Sequence, residues 1–388
     1  MATLPDFLIV DYKLTPTDVS QFLRLEECER YLRLRLYQKA HGDGFLYDFD
    51  VAPQAITPLL TAAGLDFERR VEKAAAEVFP VLDCAEADEE GERADTDNAR
   101  VSDRARRLRP GKTLLLFQPR LAAVLGVWSV IGDVDVLRLH RDEEGQLHIL
   151  IVDIKATTMP KTEHRLQVAC YAEMIAVVLA EAAVPVEAVD IGILYRGPAD
   201  GGNVRDLPPL RETAQRRLAK RLLGVPDALL EVIHDKHNYT AEVRDLLVGT
   251  DAMTVRIAEK SFHEVSYRLG LKCDGCLFNE FCMKDSYEQN DLSLIPYITD
   301  AQKSCLQAEG VRTVQVVAEL MQFAGKENAG KDALVTPMQH KSLVRRLQAG
   351  GIGSRLEELV LRARQVIAAN QRQQVSAGED LAEGEATR

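Results

Sequence analysis

Acidic and basic side chains gather in two apolar runs near the middle of the chain. The segment Gly132–Asp135 lies in the first run, and Asp153 and Lys155 end the second, 18 residues after Asp135. Because alternate side chains of a strand share a face, Asp153 and Lys155 point the same way. The apolar sequence directly before Asp153 places these charges at the end of a buried strand, where a simple solvated charge pair is the alternative interpretation.

This set of residues is suited to phosphodiester hydrolysis, which needs a metal that binds phosphate and lowers the pKa of a water molecule. Asp135, Asp153 and the backbone carbonyl of Ile154 predict a hard oxygen site for Mg2+ or Mn2+. Lys155 is expected to orient the attacking water or to stabilise the transition state.

An amide and a phenol follow at a helical spacing. Gln167 and Tyr171 stand at i and i+4, on one face of the helix predicted beside the two strands. Gln167 is expected to contact the metal-site carboxylates or the substrate backbone, and Tyr171 to contact a phosphate or stack on a base. The alternative is that both residues only cap a partly buried face.

Three cysteines form a dense group in which Cys273, Cys276 and Cys282 fall within ten residues. Such a group predicts a metal site and needs a fourth ligand, for which Cys305 is nearest in sequence and Cys28 is far away. Zinc accepts four thiolates, or three with a histidine, whereas an iron–sulfur cluster usually takes four thiolates. The remaining two cysteines are predicted to be non-ligands: Cys84 and Cys170.

The elements that position these residues can be read from hydrophobic periodicity. Helices are predicted at residues 20–38, carrying Cys28, at 58–78 and at 163–181. Strands are predicted at residues 113–118, 127–139, 147–155 and 189–195, with the second and third joined as a β-hairpin through the polar turn 141–146. This order predicts an α/β protein with a mixed sheet flanked by helices.

Composition and charge along the chain indicate the domain organisation and the cellular compartment. We predict a first domain over residues 1–290, with an acidic loop at 83–104 and a mainly helical insertion at 205–270, then a helical module at 291–370 and a disordered tail at 371–388. The net charge of −12 and pI near 5.3 argue against a basic surface that coats nucleic acid but do not exclude a nuclease. No signal-like start or long apolar run is present, so a cytoplasmic protein without a membrane segment is expected.

Gly132-x-x-Asp135, Asp153-x-Lys155 and Gln167-x-x-x-Tyr171 together resemble the core motifs of the RecB-like branch of the PD-(D/E)XK nuclease superfamily. The resemblance implies a restriction-endonuclease-like fold and a metal-dependent deoxyribonuclease. It assigns Asp135 and Asp153 as metal ligands, Lys155 as the catalytic lysine, and Gln167 and Tyr171 as an auxiliary pair.

The family's first motif corresponds to residues 64–68 on the helix predicted upstream. Many members have a metal-binding histidine where this chain has Phe67, whose phenyl ring cannot bind such a cation. Glu68, or Glu72 one turn later, is the expected substitute. This departure puts full activity in question.

The cysteine pattern resembles that of the CRISPR-associated iron–sulfur exonucleases and their bacterial relatives. That resemblance implies a 4Fe–4S cluster held by Cys28, Cys273, Cys276 and Cys282, which would tie together the two ends of the first domain. Zinc remains the alternative. Residues 292–320 are similar to a degenerate helix-hairpin-helix unit, with a tight turn at residues 308–311.

The sequence supports two alternative functions. The first is a nuclease acting on single-stranded DNA or DNA ends in DNA processing, repair or phage defence. The second is a catalytically weak DNA-binding or scaffold subunit that works with a helicase, a CRISPR adaptation factor or another defence protein.

Overall fold

The structure is a computed structural model that describes residues 12–52, 58–85, 95–197, 209–233, 235–323 and 334–386. The chain divides into two compact units. Unit 1 comprises Met1–Phe45 and Gln54–Val265, and unit 2 comprises Leu46–Pro53 and Ser266–Arg388. The predicted carboxylate and lysine residues all lie in unit 1.

The helices of unit 1 surround a central sheet. They are α1 (Pro16–Arg24), α2 (Glu29–His41), the start of α3 (Gly44–Asp48), α4 (Pro58–Ala76), α5 (Asn98–Arg107), α6 (Thr162–Glu181), α7 (Pro209–Leu223), α8 (His237–Leu247) and α9 (Met253–Glu259). The strands are β1 (Lys13–Leu14), β2 (Val81–Asp83), β3 (Lys112–Phe117), β4 (Arg120–Leu125), β5 (Trp128–Asp133), β6 (Val136–Arg141), β7 (Leu147–Lys155), β8 (Ala188–Tyr195) and β9 (Leu229–Ile233).

The central sheet has six strands in the order β2-β3-β6-β7-β8-β9. Strands β7 and β8 are parallel, as are β2 and β3, and the other neighbours are antiparallel. The sheet is therefore mixed, as the sequence predicted. A second sheet has three strands in the order β1-β5-β4.

The two sheets are joined by a bend that the sequence did not predict, and we call residues 117–120 and 133–136 the corner. The run predicted as one strand, 127–139, is in fact β5 followed by β6 in different sheets. Pairing continues through the bend, because Gln118 N donates to Asp135 O (3.2 Å) and Val134 N donates to Pro119 O (3.0 Å). The predicted hairpin of β6 and β7 is present, with Val136 opposite Val152.

Strand β7 is apolar on both faces because helices cover both sides of the sheet. Leu150, Val152 and Ile154 belong to a core cluster that also contains residues of α4 and α7. Ile149 and Ile151 alternate with them and are also buried. Asp153 is the next residue on the face of Ile149 and Ile151, so a buried apolar strand leads directly to this acid.

Three predictions for unit 1 need correction. The helix predicted at 20–38 is two helices, and Cys28 is the N-cap residue of α2 instead of a mid-helix residue, after Glu26 and Glu27 with positive φ. The acidic stretch predicted as a loop contains the start of α5, while residues 86–94 lie outside the described residues. The region 205–270 contains strand β9 besides its helices, because Leu229–Ile233 is a mainly apolar, mostly buried run that pairs antiparallel with β8.

Unit 2 is mainly helical. Its elements are α10 (Asn279–Gln289), α11 (Asp300–Ala308), α12 (Val314–Glu319), β10 (Gln322–Phe323), β11 (Leu334–Val335), α13 (Lys341–Leu347) and α14 (Leu356–Ala386). The predicted turn after α11 is present, with Gly310 at φ 79° and Val311 N donating to Leu306 O (2.9 Å). Helix α14 continues to Ala386, within the segment 371–388 that was predicted to be disordered, because the Ala, Glu and Gln residues there are strong helix formers.

Among the described residues, no helix combines the length and the apolar character needed to cross a membrane.

Candidate active site

The end of β7 carries a buried acid next to a lysine. Asp153 is only 2% exposed, and Lys155 Nζ donates to Asp153 Oδ1 at 2.8 Å. The contact follows from strand alternation, which puts residues two apart on one face. The structure therefore brings together the two residues that the sequence placed side by side.

Asp135 reaches the same strand end from the corner. The β6–β7 register pairs Val136 with Val152, so its continuation places Asp135 opposite Asp153. Asp135 Oδ2 accepts a hydrogen bond from Ile154 N at 2.6 Å, and Gln118 Nε2 approaches Asp135 Oδ1 at 3.4 Å. The backbone of Ile154 thus fixes one carboxylate beside the other.

One oxygen of Asp153 differs from the one that Lys155 contacts. Asp153 Oδ2 is fully buried and accepts no hydrogen bond from any described residue. Desolvation raises the pKa of Asp153, the Lys155 ammonium opposes that shift, and the charge of Asp135 adds to it. A buried carboxylate oxygen without a partner is destabilising, and a divalent cation would satisfy it.

The donor set fits the expected metal in its chemistry. Asp135, Asp153 and the Ile154 carbonyl offer oxygen ligands, which Mg2+ and Mn2+ prefer. Within the part of the chain that is described, no three His, Cys, Asp or Glu side chains converge on a ready-made metal site. Asp135 and Asp153 are only two acid side chains, so the Ile154 carbonyl and water molecules would have to complete the coordination of the cation.

Two opposing effects act on the pKa of Lys155. Desolvation lowers its pKa, but the charges of Asp153 and Asp135 outweigh this and the net shift is upward. Lys155 therefore stays a cation at the end of the strand, 26% exposed.

Helix α4 presents an acid and a phenyl ring to different surroundings. Phe67 is 5% exposed and packs in the core with Val71, Val152 and Ile154. The next residue, Glu68, is half-buried, and its pKa is raised by desolvation and then by the charge of Asp135, with Lys155 opposing. Glu68 is thus within electrostatic reach of Asp135 and Lys155. Its role as the substitute metal ligand stays a prediction.

Glu72 follows Glu68 by one helical turn and is also half-buried. Residues at i and i+4 lie on the same face of a helix. Glu72 therefore lies on the face of α4 that carries Glu68.

The auxiliary pair on α6 holds the corner. Tyr171 is 4% exposed, and its hydroxyl donates to the backbone oxygen of Asp133 at 2.6 Å. Gln167 hydrogen-bonds to that hydroxyl, while burial and the charges of Asp135 and Asp153 raise the pKa of Tyr171. A ring this deeply buried cannot stack on a base, so that sequence prediction is wrong and Tyr171 acts on the protein backbone.

Two further residues at the site were not singled out from the sequence. Gln118 adopts a left-handed conformation (φ 51°) in the corner and approaches Asp135. His164 lies within electrostatic reach of Lys155, and desolvation, followed by that charge, lowers the His164 pKa to about 4. The sequence held a signal for His164, because His164, Gln167 and Tyr171 stand at i, i+3 and i+7 and so share one face of α6.

The four predicted cluster cysteines fall in both units. Cys28 is half-buried in unit 1. In unit 2, Cys273 closes a short 3-10 turn, Cys276 N donates to Cys273 O (3.0 Å), and Cys282 lies in the first turn of α10. No convergent metal group of three such side chains exists among the described residues, so the iron–sulfur and zinc assignments stay predictions.

The other cysteines occupy different surroundings. Cys84 and Cys170 are buried, and desolvation raises the thiol pKa of both. Cys305 in unit 2 is half-buried, and its thiol donates to Gly350 O at 3.2 Å.

Comparison with known proteins identifies one matching family. The model of the PD-(D/E)XK nuclease superfamily matches residues 51–283, which include α4, the corner, β7 and α6. No curated protein matches the chain. A solved structure described as "Crystal structure of SSO0001" is 11% identical, covers 72% of this chain and 89% of its own, and superposes with a TM-score of 0.30.

Proposed function

Because the chain belongs to the PD-(D/E)XK nuclease superfamily, we propose that it is a metal-dependent deoxyribonuclease acting on single-stranded DNA or DNA ends. Its α/β fold is restriction-endonuclease-like, as the sequence motifs implied. One observation carries the proposal: a buried Asp153, with one oxygen unpartnered, lies against Lys155 at the end of a rigid strand and beside Asp135.

Each residue has a chemical role in this proposal. Asp135, Asp153 and the Ile154 carbonyl would hold Mg2+ or Mn2+, with Glu68 or Glu72 as a further acid from α4. When bound, the metal supplies Lewis acidity toward the phosphate and a water of lowered pKa. Lys155 would orient the attacking water with its ammonium protons or stabilise the negative charge that develops on the phosphate oxygens in the transition state.

The remaining residues position this machinery. Tyr171 holds the Asp133 carbonyl, and Gln167 in turn contacts the Tyr171 hydroxyl, so the pair fixes the corner from which Asp135 projects. Gln118 approaches the second oxygen of Asp135 and limits its rotation. Positioning of this kind matters because catalytic groups lose much of their effect when displaced by an ångström.

The finer parts of the proposal rest on motif resemblance. RecB-like motifs support DNA as substrate and DNA processing, repair or phage defence as the process. The cysteine spacing supports a 4Fe–4S cluster on Cys28, Cys273, Cys276 and Cys282, with zinc as the alternative. Protein purified without oxygen should be brown and contain iron and sulfide; a colourless protein with stoichiometric zinc would overturn the cluster.

Cleavage assays with a matched variant test the nuclease. Labelled single- and double-stranded DNA is incubated with Mn2+ and wild type, Lys155→Ala or Lys220→Ala, the last being an exposed lysine on α7. We expect Lys155→Ala to lose at least about 100-fold in rate, as expected for a transition-state contact, and Lys220→Ala to match wild type. Equal cleavage by Lys155→Ala and wild type would refute the proposal.

The burial of Phe67 favours a second candidate. A core phenyl ring stands where many relatives have a metal-binding histidine, which favours a catalytically weak DNA-binding or scaffold subunit. Such a subunit would work with a helicase, a CRISPR adaptation factor or another defence protein. Tight DNA binding by a cluster-loaded protein that cuts no strand would support this candidate over the nuclease.

A further inference from the structure

Helix α5 and the residues that follow it carry a concentrated positive charge. Residues 100–112 contain five arginines, one lysine and one aspartate, a net charge of +5. The whole chain has a net charge of −12, so the other residues together carry −17. Such a concentration in an acidic protein is a local feature that bulk composition conceals.

These cations share the outer surface of the element. Helix α5 turns Val101, Ser102 and Ala105 inward, where all three are buried. The basic residues face outward and are all exposed: Arg100, Arg104, Arg106, Arg107, Arg109 and Lys112. We call these six residues the α5 basic face.

The start of α5 is fastened to the corner. Asp97 N donates to Arg120 O (2.7 Å) and Asp97 Oδ2 accepts from Arg120 N (2.8 Å). The side chain of Arg120 forms a two-point ion pair with Asp133 (2.8 and 3.1 Å). Asp133 is the residue whose carbonyl Tyr171 holds, so α5 begins next to the corner that carries Asp135.

The end of α5 is fastened at the opposite end of α6. Arg106 donates to Ala182 O at 2.7 Å, after the last residue of α6, and Arg141 donates to Ala105 O at 2.8 Å. Ten helical residues span about 15 Å. The helix therefore runs away from the candidate active site on a fixed path.

Part of the α5 basic face is already paired. Arg100 contacts Asp97 (3.1 Å) and Arg107 contacts Asp103 (2.8 Å), and Arg107 is 76% exposed. Arg104, Arg109 and Lys112 form no ion pair with the described residues. Exposed ion pairs contribute little stability, so the pairs of Arg100 and Arg107 are not needed to hold the fold.

We propose that the α5 basic face binds the phosphate backbone of the nucleic-acid strand that is cut and leads it away from the catalytic centre. This inference rests on the proposed nuclease function. Exposed arginines form charge-assisted hydrogen bonds with phosphate groups, and phosphate contacts position a strand without reading its sequence. The face starts beside the catalytic corner, which favours a nucleic acid over an acidic protein as the occupant.

Binding can be measured apart from cleavage. Anisotropy of labelled single-stranded DNA is followed in Ca2+ with wild type, with Arg104→Gln/Arg107→Gln/Arg109→Gln, and with the control Arg217→Gln/Lys220→Gln/Arg221→Gln on α7. Both triple variants change the net charge by −3 at exposed positions. Because three phosphate contacts are lost, the α5 variant should bind roughly tenfold more weakly, and its salt dependence should fall by about 2 in log–log slope.

The control triple should bind within about threefold of wild type, and Arg→Lys at the three α5 positions should restore most of the affinity. Equal weakening of both Gln triples would show a net-charge effect and overturn the inference. Wild-type affinity in the α5 triple would also overturn it, as would equally tight binding of polyglutamate by wild type.

Failure of the nuclease proposal has a different signature. If Lys155→Ala cuts as wild type does while the α5 triple variant binds DNA weakly, the inference about the α5 basic face is supported and the catalytic assignment is refuted. If Lys155→Ala is inactive while the α5 triple variant binds DNA as wild type does, the catalytic assignment is supported and the inference about the α5 basic face is refuted. Thermal unfolding of each variant checks that the fold is retained.

Discussion

At the scale of single residues, the corner tolerates little change. A Cβ added at Gly132 would lie 2.8 Å from Pro16 Cδ and 2.9 Å from the Tyr171 hydroxyl. The proline ring cannot rotate away, and the hydroxyl is committed to Asp133. Gly132 is therefore needed for the close approach of α1 and α6 to β5, and its φ plays no part in this requirement.

We expect Gly132→Ala to lower the free energy of unfolding by about 1–3 kcal/mol, as overpacking usually does. Urea unfolding measures the change. Gly64→Ala is the control, because its Cβ meets no atom within 4 Å on α4 and alanine favours a helix by about 0.5–1 kcal/mol. In a Tyr171→Phe background the cost of Gly132→Ala should shrink, since one of its two nearest contacts is gone. A cost that is unchanged or larger would contradict this account.

At the scale of elements, one aspartate joins α1 to α2. Asp18 forms a capping box with Thr15, accepting from its N (2.8 Å) and Oγ1 (2.7 Å). The same carboxylate pairs with Arg35 (2.6 Å) and Lys39 (2.9 Å) of α2. Asp18 is 2% exposed, so a helix start and a helix–helix contact depend on a single buried charge.

Desolvation raises the pKa of Asp18, but Arg35 and Lys39 outweigh it and the net shift is downward. A depressed pKa stabilises the fold above the unfolded value of about 3.9, and this contribution is lost as pH falls through the folded pKa.

We expect Asp18→Asn to lower the free energy of unfolding by about 2 kcal/mol at pH 7 and to lose less stability than wild type on acidification below pH 4. Asp66→Asn, an exposed residue paired with Arg70 on α4, should change stability by less than about 0.5 kcal/mol. Parallel acid unfolding curves for wild type and Asp18→Asn would refute this role.

At the scale of the whole molecule, burial and mutual repulsion disfavour the charged forms of the acids at the site. Asp153 Oδ2 accepts no hydrogen bond from the described residues, and desolvation together with the charge of Asp135 raises the pKa of Glu68. A cation that binds only the folded state stabilises it in proportion to the logarithm of its concentration. The folded protein should therefore respond to the metal as well as to DNA.

We expect Mn2+ to raise the midpoint of thermal unfolding of wild type, with a gain of about 2.7 kcal/mol at 100 times the dissociation constant. Asp153→Asn should lose most of this gain because a neutral amide is a poor metal ligand. Asp190→Asn, at an exposed position on β8, should keep it. Scanning calorimetry with and without chelator gives the comparison, and an equal gain in Asp153→Asn would exclude the assigned site.

The sequence predicted the local parts of this protein well. Strand alternation placed Asp153 and Lys155 together, and the predicted turn at Gly310 is present in unit 2. The motifs also predicted the superfamily, which the family match confirms. These features depend on residues close in sequence, and periodicity and spacing report such relations directly.

The tertiary structure decided what distant segments do to each other. The corner that carries Asp135 forms because residues 117–120 pair with residues 133–136, and a one-strand pattern at 127–139 holds no sign of that bend. The burial of Tyr171 and Phe67 likewise depends on which helix face meets the sheet. Sequence alone therefore determined the chemistry and its approximate spacing, whereas long-range pairing and packing determined which side chains meet. The physical reason is that burial is set by partners far along the chain, which no local pattern encodes.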